Sequence, residues 1–427
     1  MNDPADRITL MDRVVGTFVL VGATATVMAG RSTVIALVSL ALMALAVAYI
    51  ERNAFRTFLR PSPAALPVAA FLSLGVLSAA WSVDGVDTLQ STLTVLLIFI
   101  LWHIVDRWLR AQPIRRVRHM AYWFVVAVAL GMAFLTHEVF AEQYIRRWLV
   151  DTFGIFVPPT LGRHYSVDQS GSIRIKRFEP NRSIAVLNMY LWPAILCAYS
   201  LWSGRKFALI AAILGSGAVL ATMGSVHETS KLALIGGVLC FGLASLWRRA
   251  AFVAVACSWV VLGLAMVPAA HFAHDELALH RAEWLQPSAQ RRIEIWDDIA
   301  DGVAQSPLVG MGVRSAHGQT FGPAPSARDA EVGTHAHNVY LQNWYELGVA
   351  GVLLFIAAGL VVLNSMRGIA RNAQPYALAA FTAFMVEIGS SWELWQRWFA
   401  ALFALAMIYL LLGIRSAEGR SERVVEE

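Results

Sequence analysis

Long runs of apolar residues constrain this chain more than any other feature of its sequence. The runs are about 17–20 residues long, which is the length a helix needs to cross the hydrocarbon core of a bilayer. Of the 427 residues, 57% are hydrophobic and 15% are charged, whereas a soluble globular chain averages roughly 45–50% apolar and roughly 25% charged residues. The sequence therefore predicts an integral membrane protein, and it excludes water-soluble enzymes and disordered chains.

Windows of about 19 residues predict twelve membrane-spanning helices. The predicted spans are residues 14–30, 32–50, 66–81, 89–105, 120–136, 183–202, 207–223, 231–247, 251–270, 347–364, 375–391 and 398–414. Because twelve is an even number, both termini are expected on the same side of the membrane. The predicted fold class is an all-α integral membrane protein with about 12 transmembrane helices.

Lysine and arginine are distributed unevenly between the short connections. If the N-terminus is cytoplasmic, the short outer turns hold only Arg31, Lys231 and Arg397, and the other basic residues outside the two long outer loops lie in the terminal segments and the inner connections. The positive-inside rule then predicts cytoplasmic N- and C-termini. The predicted divisions are spans 1–5 (residues 1–136), a first periplasmic loop (137–182), spans 6–9 (183–270), a second, large periplasmic loop (271–346), and spans 10–12 with a cytoplasmic tail (347–427).

The first outer loop ends in a basic stretch, SIRIKRFEPNRSIAV. Lys176 and Arg177 either contact a phosphate group or form a solvated or lipid-facing basic edge. Arg182 is predicted one residue before an apolar helix, in the turn sequence Glu-Pro-Asn-Arg-Ser. A helix start offers unbonded N–H groups, and a guanidinium gives bidentate hydrogen bonds, so this position suits a diphosphate.

The second outer loop contains QRRIEIWDDIADGVAQSP, which predicts an amphipathic helix ending near Ser306-Pro307. Arg292 lies on the same helical stripe as Trp296, whereas Arg291 points elsewhere. An arginine on a packed face needs an anionic partner, which is either a substrate or a neighbouring carboxylate. The carboxylates within reach are Glu294, Asp297 and Asp298.

A glycine-punctuated turn, Pro-Leu-Val-Gly-Met-Gly-Val-Arg, follows this helix and ends at Arg314. Its glycines would allow the backbone to approach a ligand closely. The turn lacks the Lys-Ser/Thr of a Walker motif and no strand is predicted before it, so it is a weak phosphate-loop signal. Arg314 is a candidate substrate-binding residue.

Two histidines, His335 and His337, stand at the start of a helix in THAHNVYLQNWYELGVAG. A His-x-His pair could bind a metal, but no carboxylate or thiol cluster at ligand spacing accompanies it. The pair could also be purely structural. The third interpretation is a general base, because a helix N-terminus disfavours protonated imidazole and leaves it able to accept a proton.

Three motifs together resemble the signature of the O-antigen ligase and O-antigen polymerase superfamily. They are Arg292-Ile-Glu-Ile-Trp296, Ser-Pro-Leu-Val-Gly-Met-Gly, and His-Ala-His-Asn-x-Tyr-Leu-Gln followed by Glu-Leu-Gly-x-x-Gly. The resemblance covers roughly residues 180–365. It implies a metal-independent, GT-C-like membrane glycosyltransferase without a cofactor, and it assigns the catalytic roles to His337, Arg292 and Arg182.

The resemblance also implies the substrates and the cellular location. The donor would be O-antigen linked to undecaprenyl diphosphate, the acceptor would be the lipid A-core oligosaccharide, and the enzyme would sit among the lipids of the bacterial inner membrane with no nucleic-acid partner. Arg314 departs from the family pattern. The predicted substrate-binding residues are Lys176, Arg177, Trp296, Arg314, Asn338 and Tyr340.

Other functions are compatible with parts of this pattern. An O-antigen polymerase shares the His-Ala-His-Asn block, although the regular series of arginine, tryptophan, glycine and histidine motifs is closer to ligases. A twelve-span transporter would be expected to have a long cytoplasmic connection after its sixth span, where this chain has only residues 203–206. An intramembrane protease would need a serine motif that the sequence lacks.

Overall fold

Helices occupy all twelve predicted spans. The structure is a computed structural model, and it describes residues 9–52, 61, 65–153, 165–167, 173–316 and 335–426. The helices at the predicted spans are α1 (Leu10–Met28), α2 (Thr33–Ile50), α3 (Ala65–Leu77), α4 (Gly85–Arg110), α5 (Ile114–Phe140), α7 (Asn181–Leu201), α8 (Gly204–Gly224), α9 (Glu228–Leu246), α10 (Arg248–His271), α12 (Val339–Met366), α13 (Gln374–Ser390) and α14 (Arg397–Glu426).

The remaining elements lie in the two predicted outer loops. Helix α6 (Tyr144–Phe153) and an antiparallel pair of strands, β1 (Tyr165–Val167) and β2 (Ile173–Ile175), lie between α5 and α7. The amphipathic helix predicted in the second loop is present as α11 (Pro287–Val303), with proline in its first turn. Its start and its end near Ser306-Pro307 agree with the sequence pattern.

Ten of the described helices are long and apolar enough to cross a membrane. The two shorter ones are α3, with 13 residues, and α13, with 17 residues. Buried side chains make up 83% of the most apolar window of α7 and 78% of that of α14, but only 22% in α8 and 28% in α10. Helices α7 and α14 therefore form the centre of a multi-pass helical bundle, and α8 and α10 present apolar side chains outward. The predicted all-α membrane fold is confirmed.

Connections that were expected on the outer side contact one another. The Ser82 hydroxyl, after α3, donates to the carbonyl of Val313, which follows α11, at 3.1 Å. The Thr229 hydroxyl, at the start of α9, donates to the carbonyl of Ser390 at 2.9 Å. These bonds agree with the predicted alternation of the helices; which compartment this end faces stays a prediction.

At the opposite end of the bundle, buried ion pairs connect neighbouring helices. Arg116, at the start of α5, pairs with Asp12 at 2.8 Å and with Glu51 at 2.7 Å, and the side chains of Arg116 and Asp12 are 6% and 1% exposed. The hydroxyls of Ser200 and Ser416 lie 2.6 Å apart. Such groups are tolerated in a protein interior because each has a partner.

Helix α7 begins earlier than the sequence pattern predicts. The sequence pattern predicts that Arg182 lies one residue before the helix. In the structure α7 begins at Asn181, with Pro180 as its N-cap, and Arg182 therefore lies within the first turn. Pro180 already has a helical backbone conformation, with φ −69° and ψ −7°. The Ile184 N–H donates to its carbonyl at 2.9 Å, so the first turn closes on the proline.

Helix α12 is broken at Gly348, which has φ +60° and ψ −160°. The segment after α11 runs against this break: the Val349 N–H donates to the carbonyl of Pro307 at 2.9 Å. A Cβ atom on Gly310 would lie 2.2 Å from the carbonyl carbon of Glu346. The glycine turn was predicted to allow close approach of the backbone to a ligand. In the structure its backbone instead lies against α12.

Candidate functional site

The predicted catalytic residues meet around the connection between α13 and α14. This connection, residues 390–396, is called the α13–α14 turn below. It contacts the middle of α11 and the residues before α12, and the first turn of α14, which follows it, contacts the start of α7.

Arg292 on α11 is bound to the first residue of the α13–α14 turn. Its Nη1 atom donates to both the carbonyl and the hydroxyl of Ser390, each at 2.9 Å. No carboxylate pairs with Arg292 among the described residues. Burial lowers the pKa of Arg292 from its usual value, since a low-dielectric environment disfavours its charged form. The guanidinium is thus a half-buried cation held by neutral oxygens, which favours binding of an anion.

The carboxylates near Arg292 in the sequence have other partners. Glu294 pairs with Arg291 at 3.3 Å, one turn of helix away. Asp297 lies 2.9 Å from the Nδ1 atom of His271. Arg292 therefore does not form the structural ion pair with Glu294 or Asp297 that the sequence also allowed.

His337 is bound to the next residue of the same turn. Its Nδ1 atom lies 2.8 Å from the carbonyl oxygen of Ser391. Because a carbonyl can only accept, Nδ1 carries the proton, and the neutral ring then has its lone pair on Nε2. His337 has φ +50°, outside the helix, and its ring lies 3.9 Å from that of His335. This arrangement selects the tautomer that a base acting through Nε2 needs.

Arg182 makes an aromatic contact with the first turn of α14, directly after the α13–α14 turn. Its guanidinium carbon lies 5.4 Å from the ring centre of Trp398, within the range of a cation–π interaction. Trp398 packs edge-on against Trp392, 4.7 Å away. The turn therefore connects all three predicted catalytic residues, His337, Arg292 and Arg182.

Three predicted substrate-binding residues form contacts within the protein. Asn338 is the N-cap of α12, and its side chain accepts from the N–H of Leu341 at 3.1 Å. Tyr340 is 1% exposed and donates to the carbonyl of Met385. The indole of Trp296 donates to the Ala336 carbonyl at 2.8 Å and so ties α11 to the histidine turn.

The remaining three basic candidates lie in different surroundings. Lys176 and Arg177 are exposed, after β2. Arg314 is tied into an ion-pair group: its Nε atom donates to Asp87 at 3.0 Å and its Nη1 atom to Glu393 of the α13–α14 turn. Burial lowers the pKa of Arg314, but the charge of Glu393 and the bond to Asp87 more than offset this, and the net shift is upward.

A buried chain of hydrogen-bonded polar side chains, which no sequence motif predicted, lies next to the α13–α14 turn. The Nδ1 atom of His227 lies 2.6 Å from the Ser230 hydroxyl, which donates to Glu387, and Glu387 also accepts from the Ser391 hydroxyl at 3.0 Å. Burial, and then the charge of Arg292, lower the pKa of His227 to about 3, so this ring is neutral. One signal was available, because Glu387 is an acidic residue inside a predicted span, where charged residues are rare.

Comparison with known proteins finds similarity to ligases that act on polysaccharides. Residues 207–356 match the family model described as O-antigen ligase, a range that contains Arg292, His337 and the break at Gly348. A Rickettsia felis protein described as a polysaccharide ligase is 27% identical over 54% of this chain and 58% of its own length. A Rickettsia prowazekii protein with the same description is 22% identical over 77% of this chain and 83% of its own.

A third relative, the Rickettsia conorii protein, also described as a polysaccharide ligase, is 26% identical over 30% of this chain and 33% of its own length. This chain therefore spans less than two thirds of the Rickettsia felis and Rickettsia conorii proteins. The chain is therefore similar to the O-antigen ligase family over residues 207–356, and to proteins described as polysaccharide ligases over longer stretches.

Proposed function

We propose that this protein transfers O-antigen polysaccharide from undecaprenyl diphosphate to a sugar hydroxyl of the lipid A core, on the periplasmic face of the bacterial inner membrane. The observation that carries the proposal is the pairing at the α13–α14 turn. A half-buried arginine that has no carboxylate partner among the described residues and a histidine of defined tautomer are bound to consecutive residues, Ser390 and Ser391. An anion site and a base site side by side suit transfer from a diphosphate.

The proposed reaction is a single displacement. His337 takes the proton of the acceptor hydroxyl on Nε2, while the acceptor oxygen forms a bond to the anomeric carbon of the donor sugar. The bond between that carbon and the diphosphate breaks, and undecaprenyl diphosphate leaves with one more negative charge. Arg292 and Arg182 stabilise this charge. Attack opposite to the leaving group inverts the anomeric centre, and the arginines supply the positive charge that a metal would otherwise provide.

Arg314, Trp296, Asn338 and Tyr340 are proposed to act through the protein. Arg314 links the α13–α14 turn to α4 through Glu393 and Asp87. The other three residues hold the start of α12 in place. They are thus positioning residues for His337 and the turn. Lys176 and Arg177, which are exposed in the first outer loop, are the proposed contacts for the outer part of the donor or for lipid phosphate.

The second candidate function is O-antigen polymerisation, because the same base and anion site would serve a growing glycan as acceptor. Deleting the gene in the source bacterium separates the two functions on a lipopolysaccharide gel. Loss of the ladder with an intact core, and accumulation of lipid-linked polymer, is expected for a ligase. A band with a single repeat would instead identify a polymerase, and an unchanged ladder would contradict both.

The orientation can be tested with two exposed serines. Ser288 lies in the first turn of α11, and Ser203 lies in the connection between α7 and α8. In a chain whose exposed Cys257 is replaced by serine, a membrane-impermeant maleimide should label Ser288→Cys but not Ser203→Cys in intact spheroplasts, because only the former is predicted to be periplasmic. Both should be labelled after permeabilisation. The reverse pattern in intact cells would rule out a periplasmic site.

Arg292→Ala and Arg182→Ala are expected to reduce kcat/KM for glycan transfer by about 10²–10³-fold, the size of effect seen when one stabilising donor is removed. Lysine should recover little at either position, since a point charge does not reproduce a bidentate guanidinium. Transfer between purified donor and acceptor in detergent measures this effect. The matched control is Arg291→Ala, at the neighbouring position of α11, where the guanidinium pairs with Glu294. Full activity of Arg292→Lys would mean that the guanidinium has no specific role.

His337→Ala is expected to lower turnover by about 10²–10⁴-fold, the range for loss of a general base, while donor binding is retained because the arginines are intact. His335→Ala is the control, and a smaller loss is expected because the bond to Ser391 fixes the orientation of His337. Turnover and donor binding are measured on the same preparations. Equal losses at both positions would leave the base unassigned and favour a structural role for the whole histidine turn.

A further inference from the structure

A second group of histidines and aspartates lies where α10 meets α11. Helix α10 continues into a short π-helical turn, Phe272–Glu276, which follows His271 directly. The Nδ1 atom of His271 lies 2.9 Å from one carboxylate oxygen of Asp297, and the Nδ1 atom of His274 lies 3.1 Å from the other. His274 is also 2.8 Å from Asp275. One carboxylate on α11 therefore faces two imidazoles at the end of α10.

The charges of this group are not balanced by other side chains. In the described part of the chain, Asp275 and Asp297 have no arginine or lysine partner, and their ion pairs are with histidines. A single N–H of His274 lies between oxygens of two carboxylates, so it can satisfy one of them well and not both. With neutral imidazoles the group carries two negative charges in a small volume. A divalent cation would neutralise them.

We propose that His271, Asp275 and Asp297 bind a first-row divalent transition metal ion, with Zn²⁺ as the representative ion. One donor atom from each of the three lies within 4.8 Å of the others. Mixed imidazole nitrogen and carboxylate oxygen donors suit Zn²⁺ and its neighbours, whereas Mg²⁺ and Ca²⁺ prefer oxygen alone. Three protein ligands leave a position for water.

Two further contacts support the orientation of the ligands. The Nε2 atom of His271 points toward Asp301, 4.0 Å away and one turn beyond Asp297 on α11. A carboxylate on the distal nitrogen is the usual outer partner of a metal-bound histidine. The ring of His274 stacks on that of His280 at 4.0 Å and 20°, which holds His274 beside the carboxylates of Asp275 and Asp297.

The proposed ion would connect two elements that are separated in the sequence by residues 277–286. His271 and Asp275 belong to the end of α10 and the turn after it, and Asp297 lies five residues after Arg292 on α11. A metal bridge would hold α11 against the membrane-spanning helix. Its role would be to stabilise the helix that carries Arg292, and it would take no part in glycan transfer.

The test uses the full chain in detergent, stripped with a chelator and titrated with ZnCl₂ by calorimetry. One equivalent of Zn²⁺ is expected to bind and to raise the thermal unfolding midpoint. Asp297→Asn should weaken binding at least about 10-fold, as even outer-partner mutations cost about 10–100-fold. Asp298→Asn, at the exposed neighbouring position, is the control and should bind like the wild type. Equal binding by the two variants, or no binding by the wild type, would overturn the proposal.

A second comparison separates this site from the His-x-His pair. Zn²⁺ binding should be unchanged in the variant His335→Ala. A loss of binding there, with normal binding in Asp297→Asn, would move the ion to the histidine turn and contradict the present assignment. Because binding and the thermal midpoint are the readouts, failure of this proposal would leave the proposed transfer reaction untouched, and the reverse is also true.

Discussion

The hydrogen bonds between Arg292 and Ser390 are the interaction on which the rest of the site depends. A guanidinium at the edge of a membrane bundle is costly to bury unless oxygens replace its water. Here the carbonyl and the hydroxyl of one residue do so, and that carbonyl also accepts from Thr229 on α9. The arginine is thereby held without being neutralised, which is what an anion site requires.

The α13–α14 turn connects this arginine to the other groups of the site. The Ser391 carbonyl accepts from the Nδ1 atom of His337, and the Ser391 hydroxyl donates to the buried Glu387.

The following residues of the turn also have partners on other elements. Glu393 pairs with Arg314, and the Trp395 indole donates to Glu346 at 2.6 Å. Several consecutive residues of one short segment thus have defined partners on different helices. A change in the path of this turn would move the proposed base and the proposed anion site together.

The break in α12 has a related effect on the second loop. Because Gly348 leaves the helical conformation, backbone groups of α12 become available to the segment after α11. The glycines of the two motifs permit the same close contact between two backbone segments. Gly310 allows contact with Glu346, and Gly348 allows contact with Leu308 and Val309. The sequence shows both glycines, but it does not show that they face each other, and the ligand interpretation of Gly310 arose for that reason.

The sequence by itself determined the membrane class, the positions of the twelve helices, the amphipathic α11 and the motif residues. These features depend on hydrophobic runs and periodicity, which are local properties of the chain. Only the tertiary structure decided that Arg292 and His337 share one turn, since their partners lie 98 and 54 residues away. It also decided that His227 and Glu387 lie beneath them and that Asp297 faces histidines. Such contacts follow from how helices pack, and no local pattern encodes the packing.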